Sequence, residues 1–179
     1  MSEDDFLALV KSYEGRPCGP PQRAADPVNQ PMIRHWIEAM GDENPIYLDP
    51  EAAAASVHGQ IVAPPTMMQA WGMRGLQASL NPPAREDRTP MDELTALLNE
   101  AGFSSVVATN CEQRYDRYLH LGDHLVSQAS IESVSEEKKT ALGAGHFVTT
   151  RVDYATTEGE HVGSMTFRIL KFKPPRSTP

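Results

Sequence analysis

Apolar residues recur at helical intervals through the first half of the chain and at alternating, strand-like intervals through the second. Pro31 suits a first helical turn, and Ile33, Trp36, Ile37 and Met40 then fall on one face before Gly41 stops the helix. Asp49, Pro50 and Glu51 ahead of an alanine run read as an N-cap, a first-turn proline and a short helix. The segment PPTMMQAWGMRGLQASL, Pro64 to Leu80, predicts one long central helix with Met67, Met68, Ala70, Trp71, Met73 and Leu76 almost all round it. A helix apolar on most faces is wrapped by other structure. Gly72 and Gly75 cost helix propensity, which points to something packed close against them. Beyond the polar loop NPPAREDRT, Thr89 and Asp92 form a capping box for an extra helix whose stripe is Leu94, Leu97 and Leu98.

From Ser104 the texture changes to strands: SSVVATNCEQRYDRYL, LVSQASIESV, TALGAGHFVTTRVDYAT and HVGSMTFRILKF, separated by polar turns. Helices followed by four long strands in an antiparallel meander predict an α+β domain, its apolar helix lying across one face of a curved sheet. Residues 1–25, ending in EGRPCGPPQRAA, read as a flexible lead-in after a short amphipathic piece. The ordered domain is expected over 26–173, with 174–179 a Pro-rich tail or linker stub.

Composition narrows the class without deciding it. With 179 residues, 40% apolar and 22% charged, the chain can bury one sizeable core. A net charge of −8 with no basic stripe argues against nucleic-acid binding. No apolar run approaches the roughly 18 residues of a membrane span, and MSEDDFLALV is acidic where a signal peptide is basic. A cytoplasmic location is expected. Cys18 and Cys111 lack metal-ligand spacing and read as reduced thiols. His120, His124, His146 and His161 are scattered, so no metal is expected; His35 and His58 read as surface and loop residues. Arg114, Arg117 and Arg168 are either within reach of a ligand phosphate or ordinary charges on solvated strand faces.

The stretch GDENPIYLDPEAAAASVHGQIVAPPTMM resembles the active-site segment of the MaoC-like hot-dog hydratases. Their motif runs Gly-Asp-x-Asn-Pro-Ile/Leu-His-x-Asp-Pro, with a His-Gly pair opening the central helix. The resemblance implies a hot-dog fold and addition of water across the double bond of a 2-enoyl-CoA. In that chemistry the Asp and the His five residues later activate the water, and a backbone N–H at the start of the central helix receives the developing enolate charge. Here Asp42 keeps the acid, but Tyr47 stands where the His belongs. Pro64 and Pro65 replace the His-Gly pair, and proline has no N–H to donate. A phenol with a pKa near 10 does not readily substitute for an imidazole titrating near 7. Asp42 and Tyr47 therefore mark a degenerate site, and no catalytic residue is expected in this chain.

The runs DPVNQPMIRHWIEAMGDENPIYLD, IVAPPTMMQAW, GFSSVVATNCEQRY and FRILKFKP resemble more closely the MaoC-like domain of larger subunits of heteromeric steroid enoyl-CoA hydratases of actinobacterial cholesterol side-chain degradation. This resemblance implies pairing with a smaller hot-dog subunit that carries the Asp/His dyad, in a heterodimer or heterotetramer. The substrate would be a steroid CoA ester, with no cofactor beyond the CoA thioester itself. It also implies a thiolase-like aldolase partner, engaged through a C-terminal domain that this chain lacks. Met67, Met68, Trp71 and Met73 are candidates for the steroid wall, because methionine fills irregular apolar space. Ordinary core packing is the alternative for each. Two other functions stay open: a self-sufficient homodimeric fatty enoyl-CoA hydratase or dehydratase, and a scaffold that positions a downstream aldolase.

Overall fold

Alternation in the second half of the chain becomes one antiparallel sheet with helices packed on one of its faces. The computed structural model describes residues 2–73, 75–80 and 88–174; the polar loop at 81–87 and the tail from 175 lie outside the described residues. The helices are α1 (Glu3–Lys11), α2 (Gln30–Met40), α3 (Pro50–Ala55), α4 (Met68–Trp71), α5 (Gly75–Leu80) and α6 (Pro90–Glu100). The strands are β1 (Gln22–Arg23), β2 (Val62–Ala63), β3 (Ser105–Tyr115), β4 (Leu119–His120), β5 (Leu125–Val134), β6 (Lys138–Thr140), β7 (Gly143–Thr156) and β8 (His161–Lys173). The main sheet runs β1-β5-β7-β8-β3, with β6 paired to β7, while β2 and β4 form a separate two-stranded piece.

One face of the sheet carries two cores side by side. Under α2 and α4, Ile33, Ile37, Tyr47, Met67, Met68 and Trp71 pack on Leu125, Tyr154 and Met165. Under α1 and α6, Val10, Leu94, Leu98 and Phe103 pack on Ile131, Val134 and Val148. A bulge between Ile131 and Ser133 shifts the register, which turns Ile131 and Val134 to the same side although they are three apart. The Thr89/Asp92 capping box forms as expected. Such a cap contributes about 1 kcal/mol, whereas full burial of a leucine contributes roughly 1.5–3 kcal/mol. Leu94 and Leu98, at 0% and 1% exposure, therefore dominate the docking of α6. Lys171 adds a tie, donating from Nζ to Asn99 Oδ1 at 2.7 Å and to the Ser104 carbonyl at 3.3 Å.

Two expectations change. The long central helix is divided into a 3₁₀ turn at Pro65–Met67, then α4, then α5. Gly75 takes φ +76°, a left-handed conformation that a continuous right-handed helix does not contain. The lead-in is not loose either. Ser2 and Asp5 form a capping box for α1, and Val10 is fully buried. Beyond the helix, Gly15 N–H donates to Ile131 O, Cys18 N–H to Ala129 O and Ala24 N–H to Leu125 O, at 2.7, 2.8 and 2.9 Å. Residues 15–24 thus run along β5 and cover that edge of the sheet, a role that Pro/Gly-rich composition does not reveal.

The helical layer meets the sheet most closely at Gly163 on β8. A Cβ there would stand 2.5 Å from the Arg114 carbonyl oxygen and 2.7 Å from Met68 Sδ. Gly163→Ala is expected to destabilise the domain by about 1–3 kcal/mol through overpacking. Urea unfolding checks this, and an unchanged midpoint would show that Met68 is not seated there.

Candidate functional site

The Gly41–Leu48 turn is built almost entirely by local hydrogen bonds. Gly41 closes α2 at φ +65°, and Asp42 N–H donates back to Ile37 O at 2.9 Å. Asp42 Oδ1 accepts from Asn44 N–H at 3.0 Å, and Asn44 Oδ1 accepts from Ile46 N–H at 3.2 Å. Pro45–Tyr47 forms a 3₁₀ turn, and Asp49 caps α3 through Glu51 N–H at 2.9 Å. Gln30 Nε2 donates to Tyr47 O at 2.8 Å, fixing the turn against the start of α2. The motif residues therefore have a structural role each, whatever else they do.

Asp42 and Tyr47 end in different environments. Asp42 is exposed, whereas Tyr47 is 6% exposed inside the core with Ile33, Met67 and Trp71. Burial raises the Tyr47 phenol above its ordinary pKa, with further contributions from Tyr118 and the Asp42 charge. A group held in its protonated form is a poorer base still. At the start of the central segment Pro64 and Pro65 offer no N–H, and the Met67 N–H is consumed by Pro64 O at 2.9 Å. The place where an oxyanion donor is needed is thus stripped of most of its donors.

The four expected wall residues divide. Met67, Met68 and Trp71 are core, at 0%, 2% and 4% exposure, which is the alternative that the sequence left open. Met73 is 69% exposed and lines a cleft of about 270 Å³. The break after α4 releases Met73 from the packing that holds Met67 and Trp71. Cys18, Gly19 and Pro20 of the lead-in form one wall of this cleft, Gln69 and Gly72 another, and Val152, Tyr154 and Met165 of the sheet its floor. Tyr154 was missed as a functional candidate from sequence. Its alternation with Val148 and Val152 places it on the inner face, but nothing in the pattern shows that the lead-in folds back to make a cleft above it.

The remaining ionisable groups are engaged elsewhere. Arg117 bridges Asp123 at 2.6 Å and Glu160 at 2.7 Å, so this guanidinium clamps two loops. Arg114 pairs with Asp116 at 3.3 Å, and Arg168 Nε reaches Thr149 Oγ1 at 3.3 Å. His58 stacks on Tyr118 with centroids 4.3 Å apart. His161 sits between Asp116 and Asp153, which raise its pKa. Among the described residues no group of His, Cys, Asp and Glu has metal-binding geometry, and no helix is long and apolar enough to cross a membrane.

A six-stranded antiparallel sheet with a short apolar helical segment across its inner face is the hot-dog arrangement, and the comparisons agree. The chain belongs to the family described as FAS1-like, dehydratase domain region, whose model matches residues 19–165. It is 50% identical over 99% of its length to a Thermomonospora curvata protein named "Probable enoyl-CoA hydratase alpha subunit". It is 46% identical over 98% of its length to the 3-oxo-4,17-pregnadiene-20-carboxyl-CoA hydratase alpha subunit of Mycobacterium tuberculosis. The chain spans about half the length of these curated relatives, 55% in each case. Among solved structures, one chain of the ChsH1-ChsH2 complex of Mycobacterium tuberculosis superposes with a TM-score of 0.81 at 44% identity, covering 98% of this chain and 93% of that one.

Burial pushes the Tyr154 phenol up to about 12, against 10 for a free phenol. A folded-state pKa raised above the unfolded value gives stability that is present below about pH 10 and lost as pH rises toward 12. Wild type is therefore expected to lose more stability than Tyr154→Phe between about pH 9 and pH 11. Urea unfolding at both pH values measures this, and equal alkaline losses would place Tyr154 outside the buried set.

Proposed function

We propose that this chain is the non-catalytic, substrate-binding hot-dog subunit of a heteromeric enoyl-CoA hydratase acting on a steroid CoA ester. The observation that carries the reading is the pairing of a buried, protonated Tyr47 with a proline-capped helical segment. An acid–base group in reach of water and an oxyanion donor are both needed for hydration, and of the motif's catalytic groups this chain retains only Asp42. The partner is a smaller hot-dog subunit that supplies the base and the N–H donors. The names of the two curated relatives support both the reaction and the multi-subunit arrangement.

The sheet offers one edge for that partner. The β5 side is covered by residues 15–24, whereas β3 lies at the opposite end, with Val106 58% exposed. An eleven-residue edge strand with a row of unpaired backbone groups is a template for a second sheet. Joined there, the partner's active groups face the inner surface of this chain. Met73 then contributes to the apolar wall directly, while Met67, Met68 and Trp71 hold the wall from behind. No cofactor takes part, since the CoA thioester belongs to the substrate. A thiolase-like aldolase is a further partner in this proposal, which rests on the resemblance alone.

The test compares hydration of 3-oxo-4,17-pregnadiene-20-carboxyl-CoA by this chain alone, by the small subunit alone and by the co-expressed pair. The pair is expected to turn over at least about a hundredfold faster than this chain alone. Comparable turnover by this chain alone would overturn the reading in favour of a self-sufficient hydratase.

A further inference from the structure

The floor of the cleft holds a polar group for which the protein supplies no partner. Tyr154 lies midway along β7, in register with Ser127 on β5 and with Gly163 on β8. The place of a Gly163 side chain is taken by Met68 Sδ, so on this side Tyr154 is bounded by the packed helical segment. Tyr154 is only 4% exposed, and among the described residues its hydroxyl makes no hydrogen bond. The indole nitrogen of Trp71 and Gln30 Oε1 are also unpartnered, but those two atoms are sealed within protein. The Tyr154 hydroxyl is not sealed: it belongs to a residue that lines the cleft.

A hydroxyl that has no protein partner and opens to the cleft is satisfied by water or by a ligand entering there, and phenylalanine would fill the same space without offering a donor. The lining is mixed: Val152, Met165 and Met73 lie with Tyr154, while Gln22, Gln69 and the Ser127 hydroxyl, directed at Gln22 O 3.4 Å away, stand on the other walls. A hydroxyl donor set among Val152, Met165 and Met73 on the floor of the cleft matches a bulky apolar ligand that carries an oxygen, and discriminates against one that lacks it.

We propose that Tyr154 is a specificity-determining residue whose hydroxyl donates a hydrogen bond to an oxygen substituent on the otherwise apolar acyl moiety of the substrate. This rests on the proposed hydratase function and narrows it to oxygenated polycyclic acyl groups over plain alkyl chains. Desolvation keeps the phenol protonated across the working pH range, so it remains a donor.

Two arms of one experiment test it in the co-expressed pair. The first measures kcat and KM for a 3-oxo-steroid enoyl-CoA and for its analogue with CH2 in place of the ring carbonyl, in wild type and Tyr154→Phe. Wild type is expected to prefer the oxo substrate, and the variant to lose about tenfold of that preference through KM. Equal preference in wild type and variant overturns the proposal. The second arm titrates the pair calorimetrically with a free 3-oxo-4-ene steroid carboxylic acid, which needs no turnover. Should no steroid CoA ester be hydrated, the functional reading fails, yet about tenfold weaker binding of that acid by Tyr154→Phe still upholds the anchor. Binding that is equal in the two proteins, or absent from both, overturns it.

Discussion

The close approach of Met68 to Gly163 is the contact on which the inner face depends. A glycine at this register lets the thioether rest directly on the sheet backbone, where a Cβ would collide with both Met68 and the neighbouring β3 carbonyl. With Met68 seated, Met67 and Trp71 fall into the core beside Ile33 and Tyr47, and the 3₁₀ turn that precedes them is held against α2. One small residue thereby sets how tightly the helical segment packs on the sheet.

Two further constraints give the domain its asymmetry. The lead-in lies along β5 and satisfies that edge, so the sheet is free to extend only past β3. At the Gly41–Pro50 motif, packing places Tyr47 in the core, its ring buried with Ile33, Met67 and Trp71. A fully buried aromatic contributes roughly 1.5–3 kcal/mol, and under the proposed function, with the chemistry in a partner, nothing opposes a buried ring at this position. The Pro64–Pro65 start follows the same logic under that proposal: the prolines pre-set the turn and leave no N–H of their own there.

The fold was largely legible, and the places where it was not share a cause. Periodicity in Ile33–Met40 and Leu94–Leu98, and alternation from Ser104 onward, reports which face is buried, so α2, α6 and the long strands emerge directly. The central helix was overextended because Met67 to Leu76 reads as apolar all round, while Gly75 at φ +76° ends the helical path for reasons of backbone conformation. Residues 15–24 were read as loose because their contribution is backbone hydrogen bonding to β5, which leaves no trace in side-chain pattern. For the site, the replaced positions Tyr47, Pro64 and Pro65 were visible as departures from a motif. Tyr154 and the cleft were not, since they depend on three separated segments meeting.

The central claim is that water is activated outside this chain. The most direct measurement is steady-state hydration by the assembled pair carrying Asp42→Asn and Tyr47→Phe together, a change that keeps the Asn44 N–H bond to residue 42 and the buried ring at 47. Turnover within about twofold of wild type is the expected result, because neither group takes part in proton transfer. A fall of about a hundredfold or more, the scale on which a general acid or base contributes, would put the chemistry in this subunit and contradict the account.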